Sequence, residues 1–347
     1  MLLDGEKRLG ELQIGDSVPT PGLNKTTSDE PKFPEWFDAK KFQRAKDVYR
    51  DHFASVNFGH LCGLLLSFYF TKNIVTLRST GNSENRNVLF RRYLSTVQHV
   101  RGWYEGDVWD KQDAARKSLD TVRTMHARVA QRMRQRQEKA RKEGADHVES
   151  NSKTEAVVDA HVDVDAVYVS QWDMAVTQWA FAGTLVLFKD KVGLGCCSAA
   201  DLEALVHFWR GIGWLLGIED AYNLCGGEMA HVEAACRAML ETEYAPRAAA
   251  PHPASTRMVV GVVDALKLLD PTLSPAAMQA YCRDLVGVSP GEELSWADWA
   301  CHALTSFFMR HAMRYETPRR MLNGLTRWRL DHADTALEAP STGVTGG

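Results

Sequence analysis

Apolar residues recur every three to four positions through most of the chain and nowhere alternate with polar ones, so the pattern predicts an all-α fold. Phe42, Ala45, Val48, Tyr49 and Phe53 mark one face of a helix over 37–53. Residues 59–77 are apolar nearly all round and predict a helix inside the core. A turn-rich break follows at Thr80-Gly-Asn-Ser-Glu-Asn-Arg-Asn, with Ser83 or Asn87 as the cap of a helix over 88–100. Trp103-Tyr-Glu-Gly-Asp reads as a further break. The helix expected from Lys111 carries Ala115, Leu119, Val122, His126, Val129 and Met133 at spacings of 4, 3, 4, 3 and 4, a continuous apolar stripe with a histidine inside it.

The charged run Arg132–Lys142 and the polar stretch 143–154 read as a helix end entering a solvated loop. Helices resume over 170–188 and 199–216, the second capped by Ser198 with Asp201 three residues on and ended by Gly217. These elements divide the chain into an arm (1–33), a main body (34–245), a Pro/Ala-rich linker (246–256), a C-terminal helical segment (257–335) and a disordered tail (336–347). The arm carries Pro19, Pro21 and Pro31 and no sustained apolar period, so it is expected to attach loosely.

Composition adds limits rather than a function. At 45% hydrophobic and 24% charged residues the chain is ordinary globular material. A formal charge of −3 offers no general attraction to nucleic acid. The seven cysteines include no CxxC pair, so reduced, buried thiols are expected. The start, Met1-Leu-Leu-Asp-Gly-Glu-Lys, lacks the basic and apolar regions of a secretory signal, and a cytoplasmic protein is expected. The most apolar runs, 61–70 and 174–188, fall short of the ~20 residues of a membrane span. They read as buried helices, with docking onto a membrane surface left open.

Walker, GxGxxG, GxSxG and HExxH motifs are all absent. His126 is then the residue to explain, because an imidazole on an apolar stripe must satisfy two ring nitrogens away from water. On the stripe alone a hydrogen-bonded core histidine is the commoner explanation and a metal or haem ligand the rarer one. His99, His207 and His231 are alternative ligands. Asp173 and Gln178, in a strongly apolar helix, require partners. The tryptophans Trp172, Trp179, Trp209 and Trp214 stand at helical spacing and read as packing.

Two segments shift the balance. Phe90-Arg-Arg-Tyr-Leu-Ser-Thr-Val-Gln-His-Val100, taken with Val122-Arg-Thr-Met-His-Ala-Arg-Val129, resembles the catalytic domain shared by rubber oxygenases (latex clearing proteins) and the fungal oxygenase MpaB, a family of all-α haem proteins. The resemblance extends over roughly 37–225 through Gln171–Trp179 and Phe208–Ile218. It implies a helical bundle around haem b, with iron bound by His126. Arg92 and Thr96, one helical turn apart, would line the pocket, serving a propionate or bound oxygen. It further implies an oxygenase acting with dioxygen on a small apolar substrate, in the most concrete version by oxidative cleavage of an isoprenoid-type C=C bond. Rubber-cleaving members carry a lysine just before the motif threonine and an upstream glutamate; here Ser95 and Thr76 stand there, which points to the fungal-type branch. A non-catalytic helical protein that binds haem or a lipid-like ligand is the alternative, and a helical scaffold without cofactor is a third reading.

Overall fold

The computed structural model describes residues 2–20, 33–81, 85–144, 162–289 and 293–333. Among these there is no strand, and one isolated bridge joins Pro19 to Ser170. The helices follow in order: α1 (Leu2–Ile14), α2 (Ala39–Asp51), α3 (Phe53–Ser67), α4 (Thr71–Arg78), α5 (Arg86–Glu105), α6 (Ala114–Gly144), α7 (Gln171–Gln178), α8 (Thr184–Leu187), α9 (Ala199–Leu216), α10 (Met229–Met239), α11 (Ala245–Ala249), α12 (Pro253–Leu266), α13 (Pro275–Leu285), α14 (Trp296–Arg310) and α15 (Glu316–Asp331).

Local chemistry sets several of the boundaries. Ser170 and Ser198 each form a capping box with an aspartate three residues on, starting α7 and α9. Gly217 ends α9 in the left-handed conformation, φ 99°, that an L side chain resists. Asn85, rather than Ser83 or Asn87, caps α5 by accepting from the Asn87 amide at 2.8 Å. The predicted break at Trp103 is helix: Trp103 and Tyr104 are buried on the last turn of α5, so packing outweighs the Gly-Asp turn signal by three residues. The single helix expected over 59–77 is instead α3 and α4, bent by 94° at Phe68–Phe70. No single described helix is long and apolar enough to cross a membrane.

The core forms where α2, α5 and α9 meet. The Tyr104 ring stacks between Tyr49 and Phe208, with centroids 4.0 and 3.9 Å away, and its hydroxyl accepts from Trp209 Nε1 at 2.8 Å. Gln178 is fully satisfied: Nε2 donates to Trp209 O and Asn223 Oδ1, both at 2.9 Å, and Oε1 accepts from the Leu224 amide at 2.8 Å. Trp179 opens a π-helical turn, Trp179–Gly183, between α7 and α8 and donates to Cys236 O at 2.9 Å. Gly63 of α3 lies against the backbone of Ala180 in that turn, where a Cβ would overlap the carbonyl. Asp173 is paired with Lys72 at 2.9 Å and accepts from the Ser170 amide.

Two stretches depart from the expected organisation. Leu2–Ile14, within the expected arm, is helix and packs on α10 with Leu9 and Leu12 buried. Its inward face is Gly5, Leu9, Leu12 and Gly15, and two glycines in a four-residue stripe hide the apolar period from a sequence reading. A Cβ on Gly5 would stand 2.6 Å from Ala234 O, so the glycine permits the close approach. The expected linker 246–256 holds α11 and the start of α12. Pro246 and Pro253 occupy first turns, where proline's missing N–H costs nothing, and therefore begin helices here. The C-terminal segment is also tied to the body: Asn323 accepts from the Ala54 amide and donates to Asp51 O, both at 2.9 Å, and Arg101 pairs with Asp331 at 2.6 Å. Most of the polar stretch 143–154 and the tail after 336 lie outside the described residues.

Candidate functional site on the α5–α6 hairpin

α5 and α6 pack against each other as an antiparallel hairpin. Asp113 starts α6 by accepting from the Ala115 amide at 2.7 Å. Ser118 fixes the register, bonded to His99 Nδ1 at 2.6 Å and to Trp103 Nε1 at 3.1 Å. Arg92 lies seven residues before His99 and His126 eight after Ser118, so at ~1.5 Å rise per residue the two stand at the same level of the hairpin. Thr96 is one turn nearer the loop. No bond joins the three side chains to one another among the described residues.

The apolar stripe of α6 is covered at both ends and uncovered in the middle. Ala115, Leu119 and Met133 are buried, whereas Val122, His126 and Val129 are only half-buried. Within this gap His126 Nδ1 is closed to water and has no hydrogen-bond partner. Burial pushes the imidazole down to about 4, which keeps it neutral at physiological pH. One turn earlier Arg123 Nε is likewise shielded without a partner.

Arg92 is half-buried, and loss of hydration lowers the pKa of its guanidinium from the usual value. Among the described residues no carboxylate pairs with it; Nη1 donates to Thr80 Oγ1 at 3.0 Å. From the other helix Arg132 Nη1 donates to Ser79 O at 3.0 Å, so arginines of α5 and α6 both hold the turn that ends α4. Thr96 donates to Arg92 O at 3.1 Å, the backbone bond ordinary for a helical threonine, which leaves its hydroxyl free only to accept. Ser95 is exposed, and Thr76 bonds its own helix at Lys72 O.

The alternative histidines are accounted for within the fold. His99 bonds Ser118, His207 Nε2 accepts from the Asp38 amide at 3.0 Å where α2 begins, and His231 is exposed. Sequence reasoning passed over His60, which is buried on α3 among Tyr104, Phe181 and Trp209 with neither ring nitrogen partnered. Burial pushes it down to about 3. α3 is apolar all round, so no helical face singles His60 out. A cavity of about 240 Å³ opens further along α6, lined by Ala130, Arg134, Gln137 and Arg141 with Pro19 and Tyr168, and does not reach His126. Among the described residues no three His, Cys, Asp or Glu side chains cluster as a metal site, and all seven cysteines are free, five of them buried.

Fold and site together define an all-α protein with a shielded neutral imidazole and a carboxylate-free arginine on facing helices of one hairpin. Residues 49–329, most of the chain, match the family described as "ER-bound oxygenase mpaB/B'/Rubber oxygenase, catalytic domain", and the chain belongs to that family. The match runs through the C-terminal segment into α15. A solved structure of latex clearing protein in the closed state shares the fold, with TM-score 0.55 and 15% identity, covering 92% of this chain and 83% of that one. Comparison with curated protein sequences finds no match.

Proposed function

We propose that this protein is a haem-dependent oxygenase in which His126 would bind the iron through its imidazole, Arg92 would supply the countercharge for a propionate, and Thr96 would offer a hydroxyl in the pocket. The observation that carries the reading is His126 Nδ1, a ring nitrogen closed to water and unused by the protein. Buried polar atoms are normally paired, and this one is open to a partner the chain does not itself contain; His60 shares the feature but is enclosed among the rings of the core, whereas His126 lies on a half-covered stripe. Family membership supports oxygenase chemistry. When bound, haem supplies the redox chemistry with dioxygen.

The chain's own contributions follow from its chemistry. Neutral imidazole is the form that ligates iron, and burial holds His126 in that form. Arg92, desolvated and without a carboxylate of its own, suits a planar anionic group bidentately. Val122 and Val129, half-covered on either side of His126, present an apolar wall that excludes water from a flat apolar ligand. The proposed substrate is a small unsaturated apolar molecule of isoprenoid type, cleaved at a C=C bond. Two observations favour the second reading, binding without turnover: the Thr96 proton is spent on Arg92 O, and Ser95 supplies no base.

Absorption spectroscopy with oxygen uptake separates these readings. The expected result is a Soret band in the protein as isolated and oxygen consumption on adding an isoprenoid alkene. Arg92→Ala is expected chiefly to lower haem occupancy, and Thr96→Val chiefly to lower turnover. A colourless protein that takes up no haem would overturn the proposal, and a Soret band without oxygen uptake would leave the binding protein.

A further inference from the structure

The turn Ser79-Thr-Gly81 ends α4 and faces the hairpin of α5 and α6. Gly81 closes the helix in the left-handed region, φ 72°, its amide donating to Arg78 O at 3.0 Å. The two residues before it bond back into the last turn. Ser79 Oγ donates to Thr76 O at 2.7 Å, and Thr80 directs both its amide, at 3.2 Å, and its hydroxyl, at 2.6 Å, to Leu77 O. A hydroxyl whose proton is already donated can only accept, and two bonds to one carbonyl fix Thr80 in place.

Arg92 of α5 uses that acceptor: Nη1 donates to Thr80 Oγ1 at 3.0 Å, across twelve residues of sequence. Among the described residues this is the one bond its guanidinium makes, so the remaining N–H donors of the fork are unassigned. A long arginine side chain loses much rotamer freedom when held in one pose, and a bond made before a ligand arrives removes that loss from the binding step. The place also suits the charge, because the carbonyl end of a helix favours a cation and Arg92 meets α4 at that end. Arg132 of α6 comes to the same turn but donates to Ser79 O, a backbone atom that no substitution removes. Thr80 is the side chain of this turn that orients an arginine of the hairpin.

We propose that Thr80 is a positioning residue for Arg92, holding the guanidinium by Nη1 so that its remaining donors meet the carboxylate of an anionic ligand, in the function proposed above a haem propionate. The inference rests on that reading of Arg92. It also accounts for the partner found there. A hydroxyl orients the fork without neutralising it, whereas a carboxylate at the same place would hold Arg92 as firmly and cancel the charge that a propionate requires. A neutral acceptor beside a half-buried arginine is therefore what an anion site needs before its anion is bound.

The test is the rate of haem loss from the purified full chain to excess apomyoglobin, followed in the Soret band, in a double-mutant cycle on Thr80 and Arg92. Thr80→Val and Thr80→Ala, which lack the hydroxyl, are each expected to lose haem about fivefold faster, and Thr80→Ser, which keeps it, to match the wild type. In the Arg92→Ala chain, itself expected to lose haem faster, the Thr80 substitutions are expected to add nothing. Far-ultraviolet circular dichroism of each variant, expected to match the wild type, separates lost positioning from lost folding. A wild-type chain without haem, or an Arg92→Ala chain that holds it as the wild type does, overturns the reading of Arg92 and this inference with it. Faster loss from Arg92→Ala with none from Thr80→Val overturns the inference alone. So does an equal effect of Thr80→Val with and without Arg92, which would leave the hydroxyl a brace of the α4 turn.

Discussion

The core around α7 and α9 and the hairpin of α5 and α6 draw on the same residue types but treat buried polar atoms in opposite ways. In the core Gln178 makes three hydrogen bonds, Trp179 donates to Cys236 O, and Tyr244 donates to Val176 O at 2.8 Å. In the hairpin His126 Nδ1 and Arg123 Nε are shielded and unpaired, and Arg92 has a threonine where a carboxylate would be usual. A saturated network rigidifies and specifies the fold; an unsaturated one on a half-covered stripe is costly unless a ligand completes it. The core has exceptions of its own: His60 is buried among rings with both nitrogens idle, and Arg210 Nε, Trp109 Nε1 and Ser255 Oγ are also shielded without a partner. The contrast yields tests of graded size.

The largest effect is expected at the hairpin. His126→Ala is expected to reduce haem occupancy about tenfold or more, since the iron–imidazole bond is lost and the stripe offers no replacement. Haem content after identical purification, read by the Soret band, checks this; unchanged occupancy would move the ligand to another histidine and remove the contrast.

In the core, Gln178→Leu is expected to cost about 3 kcal/mol, because the Leu224 amide is left without its acceptor in a dry interior and Trp209 O and Asn223 Oδ1 each lose one donor, Asn223 Oδ1 keeping the Cys225 amide at 3.2 Å. Urea unfolding measures it. A cost under about 1 kcal/mol would mean that water reaches the network and that saturation is not what distinguishes the core.

Deleting residues 2–14 comes next. Leu9 and Leu12 bury fully against α10, and each buried leucine is worth about 1.5–3 kcal/mol before the entropy of ordering α1 is subtracted, so a net loss of about 2–3 kcal/mol is expected. The thermal midpoint of the truncated chain reads this directly. No change would return the stretch to a dispensable arm.

The smallest effect at neutral pH belongs to His60. His60→Phe is expected to stay within about 1 kcal/mol of the wild type there, since an idle imidazole is exchanged for a ring among rings. Its mark is the acid profile. Burial holds His60 at about 3 and His126 at about 4 against 6.5 in the unfolded chain. The unfolded state therefore binds protons first, and stability falls as pH drops from 6.5 through these values. His60→Phe is expected to flatten this fall, and urea midpoints at neutral and acid pH compare the two chains. A profile identical to the wild type would place a partner on His60 in solution.

Periodicity and caps are local properties, so the sequence alone was enough for the all-α class, the faces of α2 and α6, the Ser198 cap and the Gly217 stop. Arg92 and Thr96 were also legible as sharing one face of α5, because residues a turn apart on one helix must; that His126 of α6 stands level with Arg92 came only from the hairpin. Other features depended on neighbours distant in the chain. Leu2–Ile14 becomes an ordered helix because α10 offers Ala234 to Gly5 and a surface on which Leu9 and Leu12 are buried, and Pro246 and Pro253 begin helices because their first turns need no proline N–H. Two further features are set wholly by packing, which no local period records: the idle nitrogens of His60 and the uncovered middle of the α6 stripe. Whether an apolar or polar atom finds a partner depends on which surfaces the fold brings together, and that was decided only in three dimensions.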